Sequence, residues 1–112
     1  MSRHLETRLW LAHRFSGLVL AVLVTVHIVT IIVAVQGGLS ATEILSRTRG
    51  SLVWGGFYSL FVLAAALHGA IGVRSFVREM TPWRARSLDW AALGFCLLLV
   101  ILGLRAVGGV VA

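Results

Sequence analysis

Two of the four histidines in this 112-residue chain, His27 and His68, stand deep inside apolar runs. An imidazole in hydrocarbon has two uses. One nitrogen can ligate a metal, or the ring can hydrogen-bond to a neighbouring helix; an unpaired N–H there is costly. A third histidine, His13, is followed at once by Arg14 and then by Ser16, and Arg74 comes six residues after His68. Arg pairs bidentately with a carboxylate, and His or Ser can hydrogen-bond a carbonyl or carboxylate. The chain has no paired catalytic acids, no nucleotide-binding Gly loop and a single cysteine, Cys96. Its chemistry therefore centres on imidazole and guanidinium groups set in an apolar background.

That background is 59% hydrophobic and 12% charged, with a mean hydropathy of +0.97. A soluble domain carries about 25% charged residues, so an ordinary globule, a disordered tail and a disulfide scaffold are excluded. All ten basic residues are Arg, against four acids, for a net charge of +6. In so apolar a chain this charge speaks for membrane topology, not nucleic acid. Crossing the hydrocarbon core takes about 20 apolar residues, and three runs qualify: 10–35, 52–77 and 88–107. The expected fold is an all-α membrane protein, one domain of three transmembrane helices. The first run is longer than the h-region of a signal peptide.

The links carry their own signals. Ser40-Ala41-Thr42-Glu43 reads as a capping box and predicts a short interfacial helix over Ala41–Arg47. Pro82 marks a turn, and Trp83 an interfacial anchor; Trp10, Trp54 and Trp90 also sit near span ends. Arg3, Arg8, Arg14, Arg74, Arg78, Arg84 and Arg86 share one side, and Arg47, Arg49 and Arg105 the other. The positive-inside rule then puts the N-terminus in the cytoplasm. Gly17, Gly69, Gly72, Gly94 and Gly103 lie within spans and suit close helix packing.

Depth separates the two buried histidines. His27 lies about 20 Å past Arg14 and His68 about 9 Å before Arg74, a difference of about 11 Å. They do not share one metal. If each ligates a haem, the two haems are stacked across the membrane, and the second axial ligands come from another subunit, since no third mid-span histidine exists. Ala64, Ala65, Ile71 and Gly72 share the face of His68, which leaves room for a porphyrin or equally for a neighbouring helix. On the first helix His13, Ser16, Leu20 and His27 form one stripe. Arg14 on its own reads as a topology anchor that snorkels to the interface.

The run His13-Arg14-Phe15-Ser16-Gly17 resembles the H-R-x-[ST]-G signature of the cytochrome b subunit of succinate dehydrogenase. The run His68-Gly69-Ala70-Ile71-Gly72-Val73-Arg74 resembles that family's H-x-x-x-G-x-R signature. Both fall on the corresponding helices, and the likeness spans essentially the whole chain. It implies half of a haem-binding helical bundle that joins a second membrane-anchor subunit in lipid and docks an iron–sulfur subunit and a flavoprotein at the cytoplasmic face of a bacterial inner membrane. Electrons would pass to a membrane quinone, and this chain would hold no succinate site. By the resemblance His68 is an axial ligand of haem b, while His13, Arg14, Ser16 and Arg74 lie by the haem propionates or the quinone.

One departure is Trp10, which stands where single-haem members carry a quinone-contacting Ser, so Trp10 or Ser16 shapes the pocket here. His27 resembles the first-helix ligand of two-haem anchors, implying two b haems shared with the partner. His13, Glu6 and Glu79 are candidates to supply protons, although the two glutamates read as surface charges. The alternatives are a single-haem anchor, a haem-free anchor, and a small transporter or assembly subunit.

Overall fold

The computed structural model describes residues 3–112. Four helices follow in order: α1 (Arg3–Gly37), α2 (Ala41–Thr48), α3 (Leu52–Met80) and α4 (Arg86–Val111). No strand occurs among the described residues. The helices α1, α3 and α4 are long and apolar enough to cross a membrane, so the chain is an all-α membrane protein. Each outruns its expected apolar stretch at one or both ends. With 35 residues, α1 is about 52 Å long, against a hydrocarbon core of about 30 Å.

Local chemistry sets the helix ends. Gly38 closes α1 with φ +109°, in the left-handed region that suits glycine at a helix C-terminus. Ser40 caps α2, its hydroxyl oxygen accepting from the Glu43 N–H at 3.2 Å; this is the expected capping signal and the expected short helix. Ser51 caps α3 in the same way, accepting from Trp54 at 3.1 Å. The helix stops at Thr81, which is extended at φ −135° and ψ 163°, as the residue before a proline favours.

α3 is the central helix and packs against both α1 and α4. Gly55, Val62 and Gly69, seven residues apart, face Val111, Gly103 and Leu99 of α4. Tyr58, Phe61, His68 and Gly72 face α1. Four of the seven buried apolar residues among those described are therefore on α3, and three of those four are small: Ala64, Ala66 and Ala70, beside Ile71. Without a hydrophobic drive between helices in lipid, small residues gain contact by letting backbones approach. A Cβ on Gly103 would overlap the Val62 side chain. At the far end Thr48 donates its hydroxyl to the Val110 carbonyl at 2.7 Å, and the Gly50 N–H reaches the Val111 carbonyl at 2.6 Å. These bonds lay α2 across the end of α4.

The register of these contacts places Trp90 level with Trp10, and Trp54 level with Ile31 of α1. The two tryptophan levels are about 31 Å apart along α1, the thickness of the hydrocarbon core. An aromatic belt at each interface is what such spacing gives.

Candidate functional site

The two signature runs interlock. The rings of His13 on α1 and His68 on α3 stack with centroids 4.1 Å apart and planes 7° from parallel. Each ring occupies the space above a glycine of the opposite helix. A Cβ on Gly17 would stand 3.1 Å from His68 Cε1, and one on Gly72 would stand 3.4 Å from His13 Nε2. Ser16, 3% exposed, donates its hydroxyl to the His13 carbonyl at 3.0 Å. His68 Nδ1 lies 3.1 Å from that same carbonyl and 3.3 Å from Ser16 Oγ. The carbonyl can only accept, so this contact requires Nδ1 to carry the proton and leaves the lone pair on Nε2. A ligating histidine typically has its other N–H held in this way. His68 therefore fits an axial ligand that binds through Nε2.

His27 sits farther along the same helix pair. Tyr58 and Phe61 of α3 approach its ring edge-on, with centroids 5.7 and 5.5 Å away. Its Nδ1 is buried and has no hydrogen-bond partner among the described residues. The ring borders two clefts, of about 360 and 400 Å³, that also share Tyr58 and the α2 residues Ile44 and Thr48. A half-buried imidazole that borders open apolar space and has no described partner at Nδ1 fits a metal ligand held through its other nitrogen. The register sets His68 level with Gly17, ten residues short of His27. Their levels thus differ by about 15 Å, more than the 11 Å expected from the flanking arginines. The difference arises because Arg74 lies level with Leu11, not with Arg14.

Arg74 is engaged within the chain. Its guanidinium, 4% exposed, donates from Nε to Asp89 of α4 at 2.8 Å and from NH2 to Glu6 of α1 at 2.7 Å. A third contact joins NH1 to the other Glu6 oxygen at 3.5 Å. Arg78 reaches Glu6 as well, at 2.7 Å. Glu6 is consequently an ion-paired residue and not the solvated surface charge its position suggested. It lies before Trp10, outside the membrane-spanning segment, and the Arg74 guanidinium, with Arg78 beside it, holds its carboxyl below the usual carboxylate range.

The remaining expected residues take a different face. Arg14 lies over the Trp10 ring at 5.1 Å, a cation–π geometry, and Trp10 is 57% exposed. Of the six polar residues expected at a cofactor, the structure joins His13, Ser16 and His68 in one cluster. His27, Arg14 and Arg74 stand apart from it and from one another. Three contributors were not singled out from sequence: Asp89, Tyr58 and Phe61. Asp89 carried a usable signal, being an acid in the first turn of an apolar helix at the level of Arg74. Tyr58 and Phe61 carried none beyond their aromatic character.

The sequence profile of the succinate dehydrogenase/fumarate reductase transmembrane subunit family matches residues 1–103. No curated protein and no solved structure matches the chain.

Proposed function

The chain belongs to the succinate dehydrogenase/fumarate reductase transmembrane subunit family, and from that premise we propose that it is a di-haem b anchor that hands electrons between an iron–sulfur subunit and membrane quinone. The supporting observation is a pair of imidazoles on one helix pair at levels about 15 Å apart, each with a nitrogen that no described residue engages. His68 lies about 10 Å inside the Trp10 level, and His27 about 6 Å inside the Trp54 level. Each is thus nearer a different membrane face.

A haem b held by these imidazoles would supply one-electron transfer, with its potential set by ligands, burial and nearby charge. The chain's own residues do the rest. His68 and His27 each offer one ligand, and a second anchor subunit supplies the other. His13 and the exposed Arg14–Trp10 pair lie at the cytoplasmic end of α1, placed for propionate or quinone oxygens. Arg74, held by two carboxylates, contributes charge and helix placement there. The succinate chemistry belongs to a flavoprotein docked with the iron–sulfur subunit on the cytoplasmic face of the bacterial inner membrane.

Haem analysis of the purified complex tests this reading. Pyridine haemochrome should give two b haems per copy of this chain. In His27→Ala one haem should be lost while the His68-dependent spectrum persists. Unchanged haem content in that variant removes His27 as a ligand; one b haem per copy in the wild-type complex would make the chain a single-haem anchor, and no b haem overturns the proposal.

A further inference from the structure

We propose that Ser16 and Gly17 are positioning residues for the His68 imidazole, Gly17 by leaving the ring its place against α1 and Ser16 by completing a pair of acceptors at Nδ1. The proposal rests on the reading of His68 as an axial haem ligand. It gives the first signature run a task different from contact with quinone or propionate.

Three sides of the His68 ring are fixed by this run. On the Nδ1 edge stand the His13 carbonyl at 3.1 Å and Ser16 Oγ at 3.3 Å. The Ser16 hydrogen is already given to that carbonyl, so toward Nδ1 the hydroxyl oxygen can only accept. The carbonyl demands the Nδ1–H tautomer, and with its own hydrogen on that carbonyl the Ser16 oxygen is the second acceptor. Beside Cε1 lies Gly17. A Cβ there would come within 3.1 Å of Cε1 and 3.4 Å of Nδ1, so the ring would have to shift by a few tenths of an ångström. One face is covered by the His13 ring. The Nε2 edge has no hydrogen-bond partner among the described residues, and it is the edge offered to an iron. Ser16 is 3% exposed and its hydroxyl hydrogen is committed, which leaves it poorly placed to meet a quinone. An acceptor behind the N–H of a ligating imidazole raises its basicity and fixes its plane, so changes at these positions should be visible in the electronic signature of the haem that His68 holds.

The test uses the intact complex, with dye-linked succinate oxidation as an independent report of assembly. His68→Ala is made first: if no haem is lost, the axial-ligand reading fails, and this proposal with it. If one haem is lost, Gly17→Ala and Ser16→Ala are compared with Gly72→Ala by electron paramagnetic resonance of the oxidised haems. The largest g-value of the His68-dependent signal should shift in Gly17→Ala and Ser16→Ala. It should shift less in Gly72→Ala, whose Cβ meets only His13, and the His27-dependent signal should stay put in all three. Unshifted g-values in both variants overturn the proposal while leaving His68 a ligand. Equal shifts in both haem signals also overturn it, because they report general distortion. If Gly17→Ala does not assemble, Ser16→Ala decides alone, since it deletes one oxygen and adds no bulk.

Discussion

At Arg74 the guanidinium divides its nitrogens between two other helices, Nε to Asp89 on α4 and NH2 to Glu6 on α1. Planar, forked donors suit this bridging, and a single ammonium does not reproduce it. Replacing Arg74 with Leu leaves two half-buried carboxylates without the cation they share. The expected cost is about 3 kcal/mol, at the low end for a broken buried pair because Glu6 and Asp89 still reach water. Arg78→Leu removes a contact that is itself partly exposed and should cost below about 1 kcal/mol. Thermal denaturation of the detergent-solubilised complex measures both, and Arg74→Lys should fall nearer to Leu than to wild type. Equal, small losses at both positions would show that the bridge does not hold the three helices. Arg74 was expected at a propionate from the resemblance alone. Its place six residues after His68 was visible in the sequence, but the carboxylates that claim it come from residues 15 and 68 positions away, and one chain read alone does not reveal which distant charges meet.

At the scale of helices, α1 is stapled to α3 by a carboxylate near its N-terminus, and that staple titrates. Glu6 is held below its ordinary value, first by the hydrogen bond from Arg74. A carboxyl whose folded value is depressed adds stability above its unfolded value, about 4.3 for Glu, and loses it as pH falls through the folded value. The melting temperature of the solubilised complex should therefore drop on acidification below about pH 4.3. In Glu6→Gln the drop should be shallower and the plateau near neutral pH lower; an unchanged acid profile would remove Glu6 from the account. Much at this scale was legible beforehand. Apolar run length gave three spans, Ser40 and Glu43 gave the short α2, and Pro82 gave the stop of α3. The central place of α3 was not legible, because in lipid both buried and lipid-facing positions are apolar and periodicity no longer marks the core. The two signature runs could be read as neighbours from the resemblance, yet the exchange of rings over Gly17 and Gly72 required the register of α1 against α3. That register also corrected the depth between His27 and His68.

For the whole molecule, the helix order makes orientation a single binary question. α1 and α4 both run antiparallel to α3, so the 80–86 link lies beside the start of α1, and α2 lies beside the end of α4. Arg3, Arg8, Arg78, Arg84 and Arg86 consequently gather at one end, with Arg14 and Arg74 near the Trp10 level just inside it. Arg47 and Arg49 sit on α2 and its cap at the other end. Exposed Arg105 lies within α4, about 9 Å inside the Trp54 level, within reach of that interface for a snorkelling side chain. Arginines near span ends set orientation irrespective of the acids beside them, so the ion pairs of Arg74 and Arg78 do not weaken the bias. The crowded end should face the cytoplasm. Cys96 is the one native thiol, so a Cys96→Ser background allows single-cysteine mapping. In intact spheroplasts a membrane-impermeant maleimide should label Leu39→Cys, in the exposed α1–α2 link, and should leave Ala85→Cys unlabelled. Protection at Ala85 could also come from a docked subunit, so Leu39 decides. Labelling at Leu39 only after lysis would invert the molecule and put His68, not His27, beside the outer face. It would also place the Glu6–Arg74–Asp89 staple at the outer face.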